Sequence, residues 1–241
     1  MGELSGKTAI VTGAGSGIGA GVALALAGEG ANLMLCGRRR EPLVNIIAHI
    51  QQEGGKARFV TADVSLEEDV ERVVGAAISE YGSISILVNN AGIAGGGAIH
   101  QHTVETWDRV MAINLRGPFL MSRAVLAGMR ESKNGHIINI SSESGLEYYK
   151  TNGAYGVSKH ALNALGEYIQ RENQELGIRV DTICPGMVLS EMTQKAPNLD
   201  QTKCLTPQDI ADLVVWLLTR RPNIKIGRPL LIQTMENPWQ S

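Results

Sequence analysis

A short apolar run, Thr8-Ala9-Ile10-Val11, leads straight into Thr12-Gly13-Ala14-Gly15-Ser16-Gly17-Ile18-Gly19, and a segment of helical period follows. Four glycines in seven residues at a strand-to-helix junction leave few folds open. Such a turn aims backbone N–H groups and the positive end of a helix at whatever lies above it, which suits a pyrophosphate. Gly13 allows the tight turn, Gly17 lets the backbone approach the phosphates, and Gly19 lets helix and strand pack closely. A glycine run alone is a weak signal, because a tight turn with no ligand looks the same. Placed after a strand and at the head of a β-α-β pattern it becomes a dinucleotide signature, with Gly13, Gly15, Ser16, Gly17, Ile18 and Gly19 as the expected contacts.

The rest of the chain repeats that pattern. Strand-length apolar bursts fall at 31–36, 57–61, 84–89, 136–141, 178–183 and, weakly, 229–232, with helical segments between them. Several bursts are apolar nearly throughout, as strands covered on both faces should be. Most of the 28 glycines sit at the junctions. Ser65-Leu66-Glu67-Glu68 reads as a capping box, and Thr206-Pro207-Gln208-Asp209 as the start of a helix reaching about Thr219. A long helix between Thr103 and Glu131 has to kink or break at Gly117-Pro118. Seven strands alternating with six helices imply a doubly wound, Rossmann-like parallel α/β sheet, with helices on both faces and one domain over 1–241.

Composition removes several function classes. With 22 Lys+Arg against 24 Asp+Glu the net charge is -2, which gives no general attraction to nucleic acid or anionic lipid. No apolar stretch approaches the roughly 20 residues a bilayer requires, and the first residues lack the apolar core of a secretory signal. Cys36, Cys184 and Cys204 form neither an even disulfide set nor a CxxC pair, so a reducing, cytoplasmic setting is expected. The five histidines show no metal-ligand spacing, and no metal is expected.

The second strand ends at Gly37, where a dinucleotide fold meets the adenosine ribose, and Arg38, Arg39 and Arg40 follow. An acid there would bind a 2′-hydroxyl and repel a 2′-phosphate; guanidinium groups do the reverse. NADP(H) is the expected cofactor, with Arg38 the first clamp, Arg39 beside it, and Arg40 already in the next helix.

Tyr155-Gly156-Val157-Ser158-Lys159 places a phenol and an ammonium four residues apart, on one face of a helix. A phenol with its ordinary pKa of about 10 is a poor base; moving it to neutrality takes about 4 kcal/mol of differential stabilisation. Lys159 and a cationic oxidised nicotinamide together would supply it. Ser142 lies just past the fifth strand, where ligands bind in open α/β sheets. The fourth strand ends in the small, polar Asn89-Asn90-Ala91-Gly92.

These motifs resemble the short-chain dehydrogenase/reductase family over nearly the whole chain, from Lys7 to about Ile232. The resemblance rests on TGxxxGxG at Thr12 to Gly19, Asp63, NNAG at Asn89 to Gly92, Asn114, Ser142, Tyr155, Lys159, and Pro185-Gly186. It implies reversible hydride transfer between a carbonyl compound and its alcohol. By resemblance Ser142 positions the carbonyl, Tyr155 is the acid/base, Lys159 binds the nicotinamide ribose, and Asn114 supports the proton relay. Asp63 and Val64 would meet the adenine, Asn90, Ala91 and Gly92 the adenosine side, and Pro185, Gly186, Val188 and Ser190 the nicotinamide end. Homodimers or homotetramers through the helices containing Trp107 and Tyr155 are also implied. An Arg directly after a non-acidic strand end goes with NADP preference in the family, although Ser16 stands where many such relatives carry Lys or Arg.

Two segments depart from the family pattern. The stretch from Glu191 to Leu205 is shorter than the usual helical lid, so the pocket should be open or small, or completed by a neighbouring subunit. The segment from Ile224 to Ser241 lacks the common VDGG, and Pro238-Trp239 reads as a candidate interface anchor. Glu143, Leu146, Tyr148, Tyr149 and Met187 are candidates for the substrate pocket. A non-catalytic NADP(H)-binding scaffold is the competing reading, against which an intact Asn114, Ser142, Tyr155 and Lys159 argue. An extended-type epimerase needs a substrate domain larger than the 56 residues after Pro185.

Overall fold

A computed structural model describes residues 2–193, 196 and 198–239. The chain runs β1 (Thr8–Thr12), α1 (Gly17–Gly28), β2 (Asn32–Gly37), α2 (Arg40–Gln52), β3 (Lys56–Thr61), α3 (Glu67–Tyr81) and β4 (Ile86–Asn89). It continues through α4 (Val104–Met111), α5 (Gly117–Ser132), β5 (Gly135–Ile140), α6 (Gly153–Asn173), β6 (Ile178–Pro185), α7 (Pro207–Leu218) and β7 (Leu230–Ile232). The seven strands form one sheet in the order β3-β2-β1-β4-β5-β6-β7, and every neighbouring pair is parallel. The order reverses between β1 and β4, so the loops beyond the carboxyl ends of those strands part and leave a crevice.

Alternation along each strand divides the core in two. Ala9 and Val11 of β1, Leu33 and Leu35 of β2, and Ile138 of β5 pack beneath α1, α2 and α7. Ile10, Met34, Cys36 and Ile137 face the opposite way, into the layer of α3, α5 and α6. Successive side chains of a strand point to opposite faces, which is why these bursts had to be apolar throughout.

Two helix starts differ in their fate. Thr206 forms the expected capping box: its hydroxyl accepts from the Asp209 N–H at 3.3 Å, and Asp209 accepts from the Thr206 N–H at 2.6 Å. The box expected at Ser65 does not form. The N-cap of α3 is Leu66, without a side-chain cap, and Ser65 instead donates its hydroxyl to the Asp63 carboxylate at 2.6 Å. An ionised carboxylate two residues upstream is a stronger partner than an orphan amide.

The segment expected to kink or break at Gly117-Pro118 is divided into two helices, which raises the helix count from six to seven among the described residues. Between α4 and α5 lies a π-helical turn, Ala112–Arg116. Pro118 has no N–H to offer the Asn114 carbonyl, so the ladder widens by one residue there. The turn carries Asn114, fully buried, toward the carboxyl end of β4.

Candidate active site

The glycine turn is held by steric necessity. Gly13 and Gly17 have φ of +64° and +53°, and a Cβ on Gly19 would stand 2.3 Å from the Gly13 carbonyl oxygen. A side chain at Gly19 would therefore push α1 off the turn. Gly17 is open by contrast: only Ser190 Cβ comes near, at 3.3 Å. Ser16 is the N-cap of α1 and makes no side-chain cap bond. The first-turn amides of α1 thus face the crevice at the positive end of a twelve-residue helix.

β4 is pinned to this turn. The Thr12 hydroxyl accepts from the N–H groups of Asn90 and Ala91 at 2.9 and 3.0 Å. The Asn90 side-chain amide donates to the carbonyls of Thr12 and Gly13 at 2.9 and 3.2 Å. Deeper, the Asn114 side chain accepts from the Ile93 N–H and donates to the Ile93 carbonyl, both at 2.9 Å, and donates to the Ser158 hydroxyl at 3.1 Å. A Cβ on Gly92 would lie 3.5 Å from Asn114 Oδ1 and 3.7 Å from Lys159 Nζ. The three residues therefore converge on one point below the crevice.

α6 presents Tyr155 and Lys159 one turn apart, with Nζ 5.5 Å from the centre of the phenol ring. Lys159 is buried and donates to the Ile140 carbonyl at 2.9 Å. Burial pushes its ammonium down to about 8, against a partial opposing pull from Cys184. Tyr155 is raised above the ordinary phenol range, chiefly by burial; a hydrogen bond with Ser142 works the other way, and the charge of Glu143 adds to the rise. In the free protein the phenol thus lies above its ordinary range, where the sequence reading expected a nearby ammonium to bring it down. Ser142 sits two residues past β5 and caps the 3-10 turn that follows by accepting from the Ser144 N–H at 3.1 Å.

Other expected contacts are more scattered. Arg38 is exposed and takes part in no ion pair among the described residues. Arg39 reaches across the crevice to Glu191 at 2.6 Å, and Arg40 opens α2 with its guanidinium 5.1 Å over the Phe59 ring. Asp63 accepts from Ser65 and donates its N–H to Asp69 at 2.7 Å. The Val64 side chain points into the core, where a Cβ on Gly117 would meet it at 2.7 Å. Pro185 ends β6, Gly186 follows, Val188 is buried, and the Ser190 N–H donates to the Thr193 hydroxyl at 2.9 Å.

The short lid segment is tied down by the chain's own C-terminal tail. Asp200 N–H donates to the Pro238 carbonyl at 2.8 Å, Thr234 donates to the Lys203 carbonyl at 2.8 Å, and Lys203 pairs with Glu236 at 3.1 Å. Trp239, read from sequence as an interface anchor, bridges to Leu199 in the same chain. Within the lid and the tail, Gln194, Lys195, Pro197, Gln240 and Ser241 lie outside the described residues.

The profile of the family described as short chain dehydrogenase matches residues 7–200. An uncharacterized oxidoreductase of Staphylococcus epidermidis is 37% identical over 227 residues, covering 94% of this chain and 97% of the relative. This chain belongs to the short chain dehydrogenase family. A Staphylococcus aureus member, again an uncharacterized oxidoreductase, is 36% identical over 224 residues, which is 93% of this chain and 96% of its own. Among solved dehydrogenases, a metagenomic short-chain oxidoreductase in complex with NADP is 33% identical, with a TM-score of 0.85 and coverage of 97% and 100%. An alcohol dehydrogenase from Thermococcus sibiricus complexed with 5-hydroxy-NADP is 27% identical, with a TM-score of 0.89 and coverage of 97% and 99%.

Several residues that hold the site together were given no role of their own from the sequence, although they lie within its motifs. Thr12 carries the β1–β4 staple, and Ser158 connects Asn114 to the Tyr155 carbonyl, to which it donates at 2.7 Å. Asn89 donates to Asn139 and Ser122 behind the crevice. Each is a small polar residue in a segment otherwise apolar or already assigned, and that mismatch is the signal that would have found it.

Proposed function

We propose that this oxidoreductase interconverts a carbonyl compound and its alcohol with NADP(H), using Tyr155 as general acid and base. The observation that carries the reading is the meeting of Ser142, Tyr155 and Lys159 beyond β5, beside a glycine cradle whose open position, Gly17, leaves room above α1. The cradle is compatible with a dinucleotide: Gly19 lets α1 pack against the turn, and Arg38, exposed just past β2 and in no ion pair among the described residues, is available to a 2′-phosphate. Arg38, the first-turn amides of α1 and Lys159 would hold the cofactor. When bound, the nicotinamide gives hydride to the carbonyl carbon or takes it from the alcohol.

The chain's own groups handle the proton and the geometry. In reduction the Tyr155 hydroxyl donates its proton to the carbonyl oxygen, which Ser142 holds with a second hydrogen bond. Lys159 then faces a phenolate, and the attraction between them offsets the burial that disfavours the charged form of each group in the free protein. Asn114, bonded to Ile93 and Ser158, fixes the floor on which Lys159 rests. Oligomerisation through α4 and α6, the helices of Trp107 and Tyr155, is supported by an apolar depression of about 600 Å³ lined by Met111, Leu115, Phe119 and Leu165.

Oxidation of NADPH followed at 340 nm across aldehydes and ketones, with NADH as control, tests the reading. NADPH should be preferred by about tenfold or more, as one to two charge-assisted bonds imply. Tyr155→Phe should lower kcat by orders of magnitude and leave NADPH affinity unchanged. Binding of NADPH without turnover of any carbonyl would favour a scaffold instead, and near-native turnover by the Phe variant would remove Tyr155 from its role.

A further inference from the structure

Glu143 follows Ser142 and opens the 3-10 turn that leads away from β5. Its Oε2 lies 3.2 Å from the point a Cβ on Gly186 would occupy, so the carboxylate spans the gap between the ends of β5 and β6. Those are the two strand ends that border Tyr155. Glu143 is half-buried, and burial pushes its carboxyl above the usual range; a hydrogen bond with the Tyr149 phenol opposes this. It belongs to no ion pair among the described residues.

A carboxylate in this position works against the chemistry of its neighbour. Its charge raises Tyr155 and so disfavours the phenolate that alcohol oxidation requires. One tyrosine satisfies only part of its acceptor capacity, which is about four lone-pair sites. The Ser142 and Tyr155 hydroxyls face the same space, and both are committed to a carbonyl oxygen. What remains for Glu143 is the part of the substrate next to that carbonyl.

We propose that Glu143 selects the substrate: its carboxylate accepts a hydrogen bond from a hydroxyl or ammonium group borne on the carbon next to the reacting carbonyl. The enzyme is thereby directed to hydroxylated or aminated carbonyl compounds and closed to those with a carboxylate at that place. An anionic substituent there would face Glu143 across the Gly186 gap, and among the described residues no cation pairs with Glu143. A plain alkyl substituent would leave the carboxylate half-buried and short of donors. This inference rests on the carbonyl-reductase reading above.

Four ketones of one skeleton test it: hydroxyacetone, aminoacetone, 2-butanone and pyruvate, each with NADPH and with the wild type, E143Q and E143K. The wild type should favour the first two over 2-butanone by about tenfold or more in kcat/KM, the size of one hydrogen bond to a charged group, and reject pyruvate. E143Q should bring all four within a few-fold of one another, and E143K should turn the order toward pyruvate. Ratios within one variant cancel any change in Tyr155 acidity, which affects all four ketones alike. E143D keeps the charge and serves if the other variants do not fold; it should keep the wild-type rejection of pyruvate. Equal ratios in wild type and E143Q, or ready pyruvate reduction by the wild type, would overturn the role of Glu143. No turnover of any of the four by a wild type that binds NADPH would instead count against the carbonyl-reductase reading itself.

Discussion

Lys159 shows what the site costs the fold. Its ammonium lies buried, with one carbonyl as hydrogen-bond partner, and is held at about 8. The distance from its ordinary value of 10.5 corresponds to about 3 kcal/mol of destabilisation at neutral pH. The sign follows from proton counting. Between about 8 and 10.5 the unfolded chain holds a proton that the folded one has lost, so folding is favoured as pH rises through that window. Below it the cost is present in full. Lys159→Met removes the charge and forfeits one hydrogen bond of about 1 kcal/mol. The ligand-free variant should therefore melt at a higher temperature than the wild type at pH 7, while its turnover falls by orders of magnitude. A melting point lowered by several degrees would show that the ammonium stabilises the free fold. The YxxxK spacing was readable because a helix places i and i+4 together whatever surrounds it. The acidity of Tyr155 was not, because it depends on burial and on Glu143.

Among the elements, the break between α4 and α5 has the clearest consequence. Gly117-Pro118 marked its place in the sequence, but the form it takes depends on the helices packed around it. The π-helical turn rotates Asn114 into the floor of the site, where it bonds Ile93 and Ser158. Pro118→Ala returns a donor to the Asn114 carbonyl and allows an unbroken α-helix. We expect a protein at least as stable, since the interior proline is gone, with kcat reduced by about tenfold as the Asn114 side chain swings off Ile93 and Ser158. Thermal melting and steady-state rates on the same preparation check both halves; unchanged kcat would mean the turn is incidental. Ser65 illustrates the opposite case. Its capping pattern was sound locally and failed because Asp63 offered a carboxylate.

At the scale of the molecule, the sheet was legible because both its faces are covered, and such strands announce themselves as unbroken apolar runs. Contacts between distant segments were not legible: the tail crossing the lid and Arg39 meeting Glu191 leave no trace in local spacing. Nor does the buried pair His136–Asp181, at 2.7 Å, which joins β5 to β6 near the end of the sheet away from the crevice. Burial holds His136 below its ordinary value, with the charges of Arg179 and Lys7 adding to that and Asp181 opposing it. The unfolded chain takes up a proton near pH 6.5 that the folded one refuses, so stability is lost as pH falls below about 6.5. Urea midpoints at pH 7.5 and 5.5 should fall further for the wild type than for His136→Asn, and equal drops would rule this residue out as the source. Among the described residues, no helix is long and apolar enough to cross a membrane. The Arg39–Glu191 pair bridges residues on either side of the glycine turn, yet both side chains remain more than half in solvent, at 60% and 58%. A clasp this wet holds with about 1 kcal/mol or less and weakens further in salt. Thermal energy alone springs it, so the doorway to the glycine turn stands ajar for a substantial share of the time, more so in brine than in dilute buffer.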